Sequence, residues 1–204
     1  MQCDELLGQE TLPQELRREL ETIRRKALNM SRMIAQLLEL SRADQGRAQL
    51  ELEDLDFSEL SEMSVAEAHT IAAQKSIAIE AKIAPGLHLV GDQTLLIRLW
   101  GNLMENAIRY GRESGHIWVT VDQLDGCIRM QIRDDGIGIA KEDLPHIWER
   151  FYRADRSRTD SGSSGLGLSM VQWIVRAHHG EITAESEPGR GTLFTCLLPL
   201  KNKN

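Results

Sequence analysis

From Pro13 to Ala43, apolar or small side chains recur in alternating steps of four and three: Leu16, Leu20, Ile23, Ala27, Met30, Ile34, Leu37 and Ser41. Such a seam stays on one side of the chain only in a helix, so these residues are read as one long helix. Leu28, Met33, Leu38 and Leu40 widen the stripe beyond a two-stranded seam, as in a helix packed in a bundle. An amphipathic helix lying on its own globular core would carry the same stripe. The helix is expected to stop near Gln45 and Gly46.

Beyond residues 46–52 the period changes, which marks a domain boundary. Leu50–Leu55 reads as a short strand, and Asp56 or Ser58 can cap a helix running to about Gln74. Ile77–Ile83 and Leu87–Val90 read as strands, and Asp92–Arg109 as a long amphipathic helix. His116–Gln123 and Gly126–Arg133 form an expected hairpin turning at Asp125 and Gly126. Gly165–His179 returns to helix, stopped by Gly180; Glu181–Ser186 and Thr192–Leu200 make a last hairpin. This mixture predicts an α+β fold, a two-layer sandwich with helices on one face of a sheet. Between Ala140 and Ser164 the signals fade into a charged stretch ending in serines and glycine, which reads as a mobile lid or a disordered loop, its place before a glycine cluster favouring the lid.

Composition narrows the function. With 24 Lys and Arg against 31 Asp and Glu, the net charge of −7 disfavours duplex nucleic acid, whose binding needs clustered cations. Small anions remain open, because backbone amides bind them whatever the net charge. Three cysteines, Cys3, Cys127 and Cys196, include no CxxC pair and fit a reducing compartment better than a disulfide framework or zinc site. Cys127 and Cys196 lie in apolar strands and are expected to be buried, as are Trp118 and Trp173, while Trp148 is expected to anchor the base of the lid. No run approaches the roughly 20 apolar residues that cross a bilayer, and the first ten residues lack the pattern of a signal peptide.

Three clusters carry chemistry. In NLMENAIRY, Asn102, Glu105, Asn106 and Arg109 share one helix face, offering oxygen ligands for a hard cation and a positive charge for phosphate; a merely solvated face has the same pattern. In DDGIGI, Asp134 follows a strand and can accept from an exocyclic amine, while Gly136 and Gly138 let backbone approach a flat ligand. A tight turn uses the same residue types. The position where a dinucleotide fingerprint needs its third glycine is Lys141, and no Walker loop is present. In GSSGLGL, glycines open a helix whose first amides form a phosphate site in physical terms, although an unliganded hinge would look similar.

Together these clusters resemble the nucleotide-binding boxes of sensor histidine kinases of two-component systems, within the GHKL ATPase superfamily. NLMENAIRY resembles the N box, DDGIGI the first glycine box, ERFYRAD (Glu149–Asp155) the F box and GSSGLGL the second glycine box; EPGRGTLF resembles the closing turn and strand. RMIAQLLELSRAD resembles the second helix of a dimerisation and phosphotransfer domain. The resemblance implies a mixed, mainly antiparallel sheet, with a partial helical hairpin over 1–46 and a catalytic ATP-binding domain over 50–204. It implies ATP and Mg2+. Asp134 would bind the adenine amino group, in a pocket shaped by Gly136, Gly138 and Ile139 and supported by Thr192 through water. Asn106 would bind magnesium with Asn102 assisting, Glu105 would order its water or polarise the attacking group, Arg109 would meet the phosphates and Tyr110 pack on adenine. Gly165, Leu166, Gly167 and Leu168 would cradle the phosphates, with Arg156 or Arg158 reaching the γ-phosphate.

The implied activity is that of a protein histidine kinase, acting on a histidine of a dimerised bundle and, through it, on a response regulator's receiver domain. The implied parent is a homodimer anchored in a membrane, with this part in the cytoplasm. None of the six histidines sits in a segment resembling HELRTP, the family's acceptor box, so the chain is expected to bind ATP without phosphorylating itself. Cys3–Leu7 would be the tail of a first hairpin helix and Gly8–Pro13 the loop. His178 and His179, beside Gly180, read as a helix end with an imidazole facing the dipole. Ser163 and Ser164 depart from the usual glycine or threonine of the second box, which bears on lid flexibility. A degenerate GHKL module serving as a nucleotide-gated scaffold is the alternative, and a hydrolase of the gyrase or chaperone kind is disfavoured by the bundle helix and F box.

Overall fold

A computed structural model describes residues 13–45, 49–154 and 164–200. The readings made for residues 1–12, and for Arg156 and Arg158, lie outside the described residues. The heptad stretch forms α1 (Gln14–Asp44), started by Pro13, whose fixed φ and missing N–H suit a helix entrance. Its seam residues Leu16, Ile23, Met30 and Ile34 are exposed, while Leu40 near the end is fully buried in the core.

The elements that follow are β1 (Glu53–Asp56), α2 (Phe57–Ala72), a 3-10 turn (Ala73–Lys75), β2 (Ala78–Ile83), β3 (His88–Gly91) and α3 (Gln93–Tyr110). Then come β4 (His116–Leu124), β5 (Cys127–Asp134), α4 (Gly167–Ala177), β6 (Glu181–Glu187) and β7 (Gly191–Pro199). The five-stranded sheet has order β2-β4-β5-β7-β6. Only β2 and β4 run parallel; the other pairs are antiparallel, which makes the sheet mixed and mainly antiparallel. Alternation along β4 and β5 turns Ile117, Val119, Val121, Ile128, Met130 and Ile132 inward to share one core with the apolar faces of α3 and α4.

Several boundaries differ from expectation, each for a local reason. β1 begins at Glu53 rather than Leu50 and pairs with β3 in a separate ribbon. Asp56 is the cap of α2, accepting from the Glu59 amide at 3.0 Å; Ser58 is instead buried, donating to the Ala84 carbonyl at 2.7 Å. Gly165 has φ +69, which a right-handed helix excludes, so α4 begins at Gly167. The β4–β5 turn has both Asp125 and Gly126 in the left-handed region, as a two-residue hairpin of matching twist requires.

The tryptophans sort by face. Trp118 was expected in the core but points to the outer face of the sheet, 37% exposed, because its neighbours Ile117 and Val119 take the inward positions. It stacks on His116 at 5.7 Å between centroids and lies 5.8 Å from the Arg133 guanidinium. Trp173 is half-buried against the core, and Trp148 meets Phe194 edge-on at 6.1 Å. Cys196 is fully buried, whereas Cys127, at the first position of β5, is only half-buried. Among the described residues, no helix is long and apolar enough to cross a membrane.

Candidate functional site: a cavity between α3, α4 and the ends of β5 and β7

Apolar burial fixes α3 first. Leu96, Leu99, Leu103 and Ala107 face the core, so the intervening Asn102, Glu105, Asn106 and Arg109 fall on the flank that borders a cavity of about 230 Å³. Asp134 lines it from the end of β5, Gly138 and Ile139 from the loop that follows, Gly165 from the loop before α4, Gly167 and Leu168 from the start of α4, and Thr192 from β7. Tyr110 lines it from the last residue of α3. Gly136 and Leu166 do not line the cavity. The Leu166 side chain is fully buried, and its amide donates to Ser164 Oγ at 3.2 Å. A Cβ on Gly136 would lie 2.2 Å from the Tyr110 carbonyl, so this glycine permits the close approach of the loop to α3.

Asp134 is the one buried carboxylate of the wall, 4% exposed. Burial pushes its carboxyl above the ordinary carboxylate range, against the pull of hydrogen bonds from the Gly136 and Thr192 amides. The Gly136 bond is 2.8 Å. Because the folded state holds this proton more tightly than the unfolded chain, Asp134 adds stability at acid pH that is lost as pH rises through the raised value. The melting temperature of the native chain minus that of Asp134→Asn is therefore expected to fall from about pH 4, the unfolded value, toward neutrality. A difference that grows with pH contradicts the assignment.

The turn after β6 is tied to the same loop. Ser186 Oγ donates to the Gly191 carbonyl at 2.7 Å and accepts from the Ile139 amide at 2.8 Å. Its single proton being used, the 3.0 Å contact with Thr192 Oγ1 has threonine as donor, leaving the threonine lone pairs available for water. Arg112 adds a bond from its guanidinium to the Gly189 carbonyl. Neither Ser186 nor Arg112 was legible as a site residue, because each acts across the fold on backbone atoms.

α4 begins without a side-chain cap, unlike α2 and α3, capped by Asp56 and Asp92. Gly167 and Leu168 of its first turn line the cavity, and helix-start amides with the positive end of a dipole behind them are chemically suited to an anion. Asn102 Nδ2 donates to the Arg98 carbonyl at 2.9 Å, and its Oδ1 lies 3.0 Å from where a Gly167 Cβ would stand. Glu105 pairs with the Arg109 guanidinium one turn on. Among the described residues there is no cluster of three His, Cys, Asp or Glu side chains suited to a metal. The donor set here is two carboxamides and a carboxylate, which suits a hard cation that takes its other ligands from phosphates and water.

Lys75 also went unnoticed in the sequence. Its ammonium donates to the Ile108 and Arg109 carbonyls at 2.9 and 2.8 Å, closing the C-terminus of α3 where Arg109 and Tyr110 stand. Lys75→Met is expected to destabilise the chain by about 1.5–3 kcal/mol, lowering its melting temperature by roughly 3–10 °C in a calorimetric scan. An unchanged melting temperature would show that the two bonds contribute nothing. Asn29, Met33 and Gln36 of α1 complete the cavity wall, and Arg150 reaches Asp44 of α1 at 2.8 Å. The stretch before residue 154 is joined to the glycine loop, the Phe151 amide donating to the Gly165 carbonyl at 2.8 Å.

Residues 91–202 match the family described as histidine kinase-, DNA gyrase B- and HSP90-like ATPase. The chain belongs to this family. Sensor histidine kinases are among its relatives: it is 33% identical over 199 residues to the sensor-like histidine kinase SenX3 of Mycolicibacterium smegmatis, covering 97% of this chain and 52% of that protein. It is 31% identical over 173 residues to the signal transduction histidine-protein kinase BaeS of Escherichia coli, covering 84% of this chain and 37% of that one. The chain thus spans about half the length, or less, of these relatives. Among solved structures it is similar to the mycobacterial sensor histidine kinase MprB, 27% identical with TM-score 0.65 over 74% of this chain and 98% of that one. It is also similar to full-length ShkA, solved in complex with AMPPNP, 25% identical with TM-score 0.80 over 96% of this chain and 41% of that one.

Proposed function

We propose that the chain is the ATP-binding catalytic part of a sensor histidine kinase, with residues 50–204 as the catalytic domain and 1–46 as part of a helical dimerisation and phosphotransfer hairpin. The observation that carries this reading is a single cavity walled by a buried carboxylate at one side and by the uncapped start of α4 at the other. A flat base with an exocyclic amine fits the first, and a phosphate chain the second. The full-length ShkA structure, which holds an ATP analogue, supports the choice of nucleotide.

In this reading Asp134 accepts from the adenine amino group, and Thr192 holds a water beside it. Gly136, Gly138 and Ile139 shape the base pocket, and Tyr110 packs on the ring. The amides of Gly167 and Leu168 bind phosphate oxygens; Gly165 turns the chain so that they can, and Leu166 anchors the loop in the core rather than touching ligand. Asn106, with Asn102, would hold Mg2+, whose positive charge would supply electrostatic stabilisation to the phosphates. Arg109 faces the phosphates, and Glu105, paired with Arg109, would order the water of the metal or polarise the attacking group. The γ-phosphorus–oxygen bond breaks as a histidine nitrogen of the hairpin bonds to phosphorus, ADP leaving; the group then passes to an aspartate of a response regulator. The parent acts as a homodimer at a membrane, with this part in the cytoplasm.

The acceptor histidine is not one of the six in this chain. Mixed with Mg·ATP and a histidine-bearing hairpin of its own kind, the chain is expected to label the hairpin with radioactive phosphate in an acid-labile, base-stable linkage, and alone to label nothing. Label retained on the isolated chain, or steady phosphate release without acceptor, would overturn the assignment.

A further inference from the structure

His178 is buried, 6% exposed, at the residue following α4. Its Nδ1 lies 2.8 Å from the Ile174 carbonyl and its Nε2 2.9 Å from the Asp92 amide. A carbonyl only accepts and a backbone amide only donates, so the ring is the neutral tautomer with its proton on Nδ1. The imidazole therefore bridges the end of α4 to the residue that caps α3. Asp92 extends the junction: its two carboxylate oxygens accept from the Leu95 and Glu51 amides at 3.0 and 3.1 Å. The ring fits closely, its Cδ2 standing 3.0 Å from where a Gly91 Cβ would be.

The same two helices meet again where the oxygen of Asn102, midway along α3, approaches Gly167, the first residue of α4. Asn102 lies ten residues after Asp92, and Gly167 eleven before His178, which at 1.5 Å per residue is about 15 and 16.5 Å of helix. The two contacts thus sit at matched distances along an antiparallel helix pair. Between them the helices carry fully buried apolar residues, Leu96 and Leu99 on α3 and Met170, Val171 and Ile174 on α4. Interdigitated apolar side chains hold the pair by shape, and the bonds of the imidazole add a directional constraint at one fixed point along it.

We infer that His178 is a positioning residue, which fixes the register of α4 against α3 and so sets the phosphate-binding amides of α4 opposite the carboxamide face of α3. The inference rests on the proposed nucleotide site for its functional meaning, but the register it describes is a property of the nucleotide-free chain. His178 is not among the residues that line the cavity. Its effect falls on the phosphate side of the cavity, because the adenine side is held separately by Ser186, Gly191 and the Asp134 loop.

The test uses His178→Leu, which loses both bonds, and His178→Gln, whose amide oxygen can still accept from Asp92. Amide and carboxamide NMR spectra of the nucleotide-free chains are recorded first, then titrated with Mg·AMP-PNP and separately with adenosine. In His178→Leu, the Gly167 amide and Asn102 carboxamide resonances are expected to move, and AMP-PNP affinity to fall about tenfold, some 1.4 kcal/mol. Adenosine affinity should change less than twofold, and His178→Gln should restore the native pattern. Equal loss of both ligands, with a lowered melting temperature, would make His178 merely structural and overturn the inference; so would unmoved resonances. If the native chain binds neither ligand, the proposed function fails, and the Gly167 and Asn102 resonances alone decide the register.

Discussion

Gly191→Val is expected to lower stability by at least about 3 kcal/mol, and the melting temperature by roughly 6–12 °C. Gly191 opens β7 with φ +89, a conformation that a β-branched residue adopts only under strain. Its Cβ would stand 1.9 Å from the Asp134 carbonyl oxygen and 2.9 Å from the Asp135 Cα. Both are backbone atoms at the end of β5, so no rotamer change relieves the clash; β5 and β7 must part where Asp134 is held. Nucleotide binding should be lost with it. Gly189→Ala is the matched control, since Gly189 also has positive φ, +79, but nothing lies within 4 Å of its Cβ position. It should cost only about 1 kcal/mol. Differential scanning calorimetry of both variants checks the contrast, and equal melting temperatures would show that crowding at Asp134 is not what demands Gly191.

Asp134→Asn is expected to weaken adenine-nucleotide binding by about 10–100-fold with the fold retained. A hydrogen bond to a charged acceptor contributes about 1.5–3 kcal/mol, and its loss in a buried wall is not made good by water. The Gly136 and Thr192 amides already point at this carboxylate. An asparagine amide in its place turns one donor-seeking oxygen into a third N–H, facing either those amides or the adenine amine. Calorimetric titration with Mg·AMP-PNP, beside circular dichroism to confirm folding, measures the loss. Affinity within twofold of native would remove Asp134 from the base pocket. The same chemistry predicts discrimination against guanine, whose carbonyl oxygen would meet the carboxylate where adenine offers an amine.

What the sequence made legible was whatever depends on spacing along one element. The heptad seam located α1, alternation located β4 and β5, and three- and four-residue steps placed Asn102, Glu105, Asn106 and Arg109 on one face of α3. Glycine clusters marked the two loops of the cavity, although Gly136 and Leu166 support its wall without lining it. Contacts across the fold stayed hidden. Lys75 closes a helix 33 residues away and Ser186 bonds an amide 47 residues away, and neither residue type announces such a partner. His178 could be seen to end a helix, but its Nε2 reaches Asp92, 86 residues earlier, which no local pattern encodes. Trp118 was misplaced because aromatic character weighed more than the strand's alternation, which already put Ile117 and Val119 inside. β1 fell short because a run of apolar and acidic residues does not say where a pairing partner ends.

The central claim is that one cavity binds an adenine nucleotide by its base and its phosphates together. An isothermal titration of the native chain with Mg·AMP-PNP, repeated with Mg·GMP-PNP, tests it most directly. The account predicts saturable binding of one adenine nucleotide per chain, and guanine-nucleotide binding at least about tenfold weaker. No heat of binding from a folded native chain, or equal affinity for the two bases, would contradict it.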